Sequence, residues 1–284
     1  MTATGTATAT GTATATVAVR PRKRRWLRWV AVIVGVMLLV AAVAGAWFVQ
    51  PQPNLPEASA AMVSTPQVVV SQDHGWIEFR PTASEPTTGF IFYPGGRVEP
   101  AAYARSAQAI AQAGYLVVIV PMPLNLAVLG ANKADDVIAA YPEIQHWAIG
   151  GHSLGGAMAG QYARCQPAIE GLALWAAFPN GDVSGRDDIE AVSIWGSLDG
   201  GAERFGSAAT KATLPPDTRY MIIDGGNHEQ MGDYTGQPND PPATIRRDEQ
   251  QAQVQQATIE MLAAIDSRQP PTASAGATVQ LPGC

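Results

Sequence analysis

Between residues 88 and 223 the chain alternates two hydrophobic patterns. TGFIFYPGG, YLVVIVPMP, HWAIGGHS, IEGLALWAAFP, AVSIWGSLDG and RYMIIDGGNH each carry consecutive apolar residues and end in a loop. Their apolar residues do not alternate with polar ones, as expected of strands covered on both faces. AAYARSAQAIAQAGY, ADDVIAAYPEI, LGGAMAGQYARC and, further on, RRDEQQAQVQQATIEMLAAID read instead as helices. Strands that take turns with helices predict parallel βαβ units. The expected architecture is α/β, a mostly parallel central sheet with helices on both faces.

The N-terminal region has a different pattern. Residues 1–19 are mostly a Thr/Ala/Gly alternation with little large apolar surface, which reads as a disordered tail. RPRKRRWLRW then brings Arg20, Arg22, Lys23, Arg24, Arg25 and Arg28, and no Asp or Glu precedes Glu57. Val30 to Val49 is 20 residues without a charge, about the length that crosses a hydrocarbon core of roughly 30 Å as a helix. Basic residues stay on the cytoplasmic side, and Trp26, Trp29, Trp47 and Phe48 suit the two interfaces. The expectation is one transmembrane signal anchor with the remaining chain extracytoplasmic. The alternative is a cleaved signal peptide with Ala44-Gly45-Ala46 as the processing site, and secretion. The expected boundaries are a tail with its basic cluster over 1–25, the span over 26–49, a proline-bearing linker over 50–64, the main domain over 65–266 and a flexible tail over 267–284.

Without residues 1–49, 12 Lys and Arg remain against 24 Asp and Glu. Such an acidic domain argues against a nucleic-acid partner. Cys165 and Cys284 are the two cysteines. In an exported domain they could form a disulfide; they form no metal-binding spacing.

Candidate chemistry centres on Gly151-His152-Ser153-Leu154-Gly155, a G-x-S-x-G motif with a strand before it and a helix after it. That setting places Ser153 on a sharp turn as a nucleophile. A serine needs a base, and in this arrangement the order is Ser, then Asp or Glu, then His. Of the four histidines, His74, His146 and His152 precede Ser153, which leaves His228 as the base. Asp199, at the end of AVSIWGSLDG, is the expected acid. Glu203 is the second choice, and Asp182, Asp187, Asp188 and Glu190 lie before the strand, at the wrong end. The oxyanion needs two N–H donors. Leu154 should supply one and Gly96 the other, with Gly95 or Arg97 able to serve in its place. Leu124, Leu126 and Leu129 read equally as a pocket wall or as core.

FYPGGRVEPAAYA, VVIVPMPLNLAVLGANKADDVI, IGGHSLGGAMA and GGNHEQMGDY, in that order, resemble a dienelactone-hydrolase-like branch of the α/β-hydrolases, alpha/beta hydrolase family 5. The resemblance covers about residues 65–266. It implies the α/β-hydrolase fold, with Ser153 as nucleophile, Asp199 as acid and His228 as base. Dienelactone hydrolases carry a cysteine where Ser153 stands, so the lactone substrate does not transfer. The expected activity is carboxylesterase-like hydrolysis of a small-molecule ester through an acyl-enzyme, with no cofactor and no metal. An acyltransferase on the same triad and a silent binding module on the same fold are the alternatives.

Overall fold

The computed structural model describes residues 1–2, 5–6, 8, 11, 25–48, 50–203 and 207–269; side chains at 25, 41, 42, 44 and 46–48 are not described. Arg20, Arg22, Lys23 and Arg24 of the expected basic cluster, most of the N-terminal tail and residues 270–284, Cys284 among them, lie outside the described residues. So does the expected pairing of Cys165 with Cys284.

The chain divides into two units, Met1–Phe48 and Val49–Cys284. In the first, α1 spans Arg25–Phe48. Its large apolar side chains from Trp26 to Val40 are exposed. Among the described residues, no helix is long and apolar enough to cross a membrane. The unbroken run of described side chains in α1, 26–40, is 15 residues, about 22 Å of helix.

The second unit is built on a sheet with strands β1 (Val68–Ser71), β2 (Ile77–Pro81), β3 (Thr88–Tyr93), β4 (Leu116–Ile119), β5 (His146–His152), β6 (Ile169–Trp175), β7 (Glu190–Gly196) and β8 (Arg219–Ile223). Their spatial order is β1-β2-β4-β3-β5-β6-β7-β8. From β4 to β8 every pairing is parallel, as the apolar runs predict. β1 and β2 are antiparallel additions at one edge, outside the strands predicted above.

β3 to β7 are buried along almost their whole length because successive residues feed different cores, whereas the edge strands β1 and β8 leave Val69, Arg219 and Ile222 exposed. Phe90, Phe92, Val117, Ile119 and Ile194 pack on one side. Ile91, Tyr93, Leu116, Val118 and Ile149 pack on the other. The second core takes in α4 (Ala134–Ala140) and α5 (Leu154–Cys165). The first is covered by α3 (Ala104–Gln112) and α7 (Arg247–Asp266). On α7, Val254, Ala257, Thr258, Met261, Leu262 and Ile265 are buried, the three- and four-residue spacing of one helical face. Asp248 and Glu249 lie in its first turn, where negative charge suits the helix dipole.

Residues 50–64 depart from the expected linker. They carry helix α2 (Pro56–Ala60) with Ala58 fully buried. Before it, Gln52 and Asn54 form bridges to Val98 and Tyr234. Proline-rich composition signals a chain without its own helix or strand, but it does not prevent backbone groups from bonding to loops already in place.

Candidate active site

β5 runs directly into Ser153, and α5 begins at the next residue. Ser153 sits at φ 53° and ψ −120°, a strained conformation for a residue with a side chain. The turn closes this tightly because two neighbours lack side chains. A Cβ on Gly151 would lie 2.6 Å from the Tyr93 carbonyl oxygen, and one on Gly155 would overlap that same oxygen. The Ser153 N–H donates to Trp175 O at 3.0 Å, which fixes the turn to the end of β6. Among the described residues, Ser153 Oγ makes no hydrogen bond, and the side chain is half-buried.

Asp199 and His228 come from loops after β7 and β8. These loops are laced together: Ser197 N–H donates to Ile223 O and Leu198 N–H to Gly226 O, both at 2.9 Å. Asp199 is only 7% exposed. Its Oδ2 accepts from His228 Nδ1 at 2.7 Å and its Oδ1 from the Gly201 N–H at 2.7 Å. A carboxylate at Nδ1 puts the proton there and leaves Nε2 as an acceptor. Glu203, the second choice for the acid, is exposed and does not hydrogen-bond His228.

The backbone around His228 is held from two sides. Gln250 of α7 accepts from the Asn227 N–H at 3.0 Å and donates to Asn227 O at 2.7 Å. Asp240 accepts from the N–H groups of His228 and Glu229, at 3.1 and 2.7 Å. Neither residue is signalled by the sequence. Gln250 lies among the polar positions of a helix, and Asp240 in the loop GQPNDPP.

The four candidate oxyanion donors separate by what else they bind. The Gly95 N–H donates to Tyr103 Oη at 3.0 Å, and the Arg97 N–H to Asn125 O at 2.8 Å. Gly95 is therefore corrected as a donor: its N–H is already engaged inside the protein. Arg97 is set aside on the same ground. The N–H groups of Gly96 and Leu154 have no acceptor among the described residues. They are neighbours, since a Cβ on Gly96 would lie 3.3 Å from Leu154 Cδ2. Leu126 reaches the same spot at 4.0 Å, while Leu124 and Leu129 are exposed and form no part of the core.

His152, set aside above because it precedes the nucleophile, is buried at 1% exposure. Its Nδ1 is 2.8 Å from Tyr103 Oη. That hydroxyl already accepts from Gly95, so its own proton is free for Nδ1, and His152 then carries its proton on Nε2. Burial pushes the His152 imidazole well below its ordinary pKa, and the neighbouring His228 lowers it further. Burial likewise raises the Tyr103 phenol above its ordinary value. Both groups are neutral, and together they link the loop at Gly95 to the turn at Ser153.

An eight-stranded sheet in this order, with a serine on the strained turn after β5, defines the class of α/β-hydrolase folds. The model of the alpha/beta hydrolase family matches residues 89–252, more than half of the chain, and the chain belongs to that family. Among solved structures, the apo form of Thermogutta terrifontis esterase 2 has TM-score 0.50 and 14% identity, covering 73% of this chain and 98% of that one. A predicted CIB-like hydrolase from Thermoplasma acidophilum has TM-score 0.48 and 14% identity, covering 68% of this chain and 98% of that one. At such identities the likeness is one of fold. No curated protein matches the chain.

Proposed function

We propose that this chain is a serine hydrolase that cleaves a carboxylic ester through an acyl-enzyme. The observation that carries the reading is the 2.7 Å Asp199–His228 bond, in an α/β-hydrolase fold whose strained turn holds Ser153. In this mechanism Ser153 Oγ attacks the ester carbonyl while His228 Nε2 takes its proton. Asp199 holds the imidazole and stabilises its charged form. The N–H groups of Gly96 and Leu154 receive the developing oxyanion. The proton on His228 then passes to the leaving alkoxide, and water, deprotonated by the same nitrogen, releases the acid. No large lid is expected from the sequence, which favours small or soluble esters.

We propose also that residues 26–49 anchor the enzyme in the cytoplasmic membrane, with the catalytic unit on the outer side. Support comes from the 24-residue helix backbone of α1, about 36 Å long, from its exposed apolar side chains, and from the basic cluster before it.

A fluorophosphonate probe tests the chemistry. It should label the wild-type chain and not Ser153→Ala, and a series of p-nitrophenyl esters should define the acyl length. Absence of labelling on a folded wild-type chain overturns the hydrolase reading. Protease treatment of intact spheroplasts tests the topology: a catalytic unit that stays protected overturns the orientation.

A further inference from the structure

Residues 50–55 contribute no group to the proposed reaction, yet they join the two loops that do. On one side lies the loop 94–99, which carries the Gly96 N–H. Gln52 N–H donates to Arg97 O at 2.8 Å, and Arg97 Nε donates to Gln50 O at 3.1 Å. On the other side lies the loop 228–237, which begins at the base. Leu55 N–H donates to Asp233 O at 2.9 Å, and Thr235 N–H donates to Pro53 O at 3.0 Å. The side chains repeat the arrangement. Asn54 Nδ2 donates to Glu99 Oε2 at 2.8 Å, and Gln52 Nε2 to Gln237 Oε1 at 3.5 Å. Gln52 is 7% exposed, so it is packed between the loops and does not merely lie over them.

Each bonded loop is short and already bent. Arg97 is at φ 61°, held on its N–H side by Asn125 and on its carbonyl side by Gln52. Gly236 and Gln237 N–H groups fold back onto Glu229, the residue after His228. The Gly96 donor and the His228 base therefore sit on loops from distant parts of the chain. An oxyanion donor stabilises charge best when its position is set before the charge develops. A base must stay within hydrogen-bond reach of the proton that it takes. Both demands are met by fixing the two loops relative to each other.

We propose that Gln50–Leu55 is a strap of this kind, and that Gln52 and Asn54 are positioning residues for acylation and deacylation alike, since both steps use the same base and the same oxyanion donors. They set the separation between the Gly96 N–H and the His228 loop. The proposal rests on the serine-hydrolase reading above. It assigns the strap no contact with substrate, so its loss should slow the chemistry and leave ground-state binding nearly unchanged.

The test uses the full chain. Leu55→Pro removes one strap donor without forcing the backbone, because Leu55 is at φ −81°, near the proline value. Gln52→Ala with Asn54→Ala removes the side-chain links and keeps every backbone donor. Active sites are counted by fluorophosphonate titration, and kcat per titrated site and KM are measured with p-nitrophenyl butyrate. The expected result is a fall in kcat per site of about 10- to 100-fold, with KM within about twofold and the rate of phosphonylation falling in parallel. If one variant does not fold, the other carries the test. Unchanged kcat per titrated site in a reactive chain, even with a lower Tm, makes the strap structural only and overturns the proposal. So does a raised KM at unchanged kcat. A wild-type chain that does not react with the probe removes the hydrolase reading and the strap's role with it.

Discussion

The rings of His152 and His228 lie 4.5 Å apart, tilted by 49°. One is the proposed base and is partly open to solvent. The other is buried and neutral beside it. The pair has a consequence for stability that can be signed. His152 has a lowered pKa in the folded state, against an ordinary value of about 6.5 when unfolded. Below that pH the unfolded chain binds a proton that the folded chain refuses, so stability falls as pH falls. His152→Asn keeps an acceptor for Tyr103 and cannot charge. Its Tm deficit relative to wild type should shrink as pH drops from about 7.5 towards 5. A deficit that stays constant or grows on acidification would contradict a buried neutral His152.

Ser153 is expected to give two separable effects. Ser153→Ala and Ser153→Gly should both lose ester hydrolysis and probe labelling. At φ 53° glycine is not strained where alanine is. Ser153→Gly should therefore be more stable than Ser153→Ala by roughly 1 kcal/mol, measured by urea denaturation. Equal stabilities would mean that the turn is relaxed.

Asp199→Asn should lower kcat/KM by about 10⁴-fold, because an amide at Nδ1 favours the wrong tautomer of His228. Glu203→Gln should be silent, since Glu203 is exposed and does not touch the imidazole. Steady-state kinetics on the two variants decides between them. A silent Asp199→Asn beside an inactive Glu203→Gln would move the acid.

Gly95 and Gly96 should respond differently to a methyl group. On Gly95 it would lie 2.8 Å from His152 Nδ1 and 2.9 Å from Tyr103 Oη, both buried. On Gly96 its nearest neighbour is Leu154 Cδ2 at 3.3 Å. Gly95→Ala should thus lower Tm by several degrees, while Gly96→Ala should remain near wild type in Tm. The thermal melts would contradict the Tyr103–His152 arrangement if the order were reversed.

β3 to β7 were legible because a strand covered on both faces is apolar along most of its length, and β8 because it keeps an apolar run although Arg219 and Ile222 are exposed at the sheet edge. β1 and β2 were not: IEFRP mixes charge with apolar residues, and Arg80 spends its guanidinium on Glu78 and Glu143 at the sheet edge. His228 could be reached by chain order, and Asp199 by its place at the end of a strand. Gly95 could not be separated from Gly96, since the difference lies in where a backbone N–H points. Tyr103, Asp240 and Gln250 stayed hidden for a related reason. They act by satisfying loop backbone, and no residue spacing records that.

Residues 50–55 also bear on how the enzyme would be made. They lie upstream of the family-matched segment 89–252 and downstream of Ala44-Gly45-Ala46. A peptidase cutting at those small residues would free a chain that still owns its strap. Retained or shed, the enzyme would reach its destination with the same catalytic mouth. An expression fragment trimmed to the matched segment would lack the strap and both antiparallel edge strands, and its poor turnover would say little about the native enzyme.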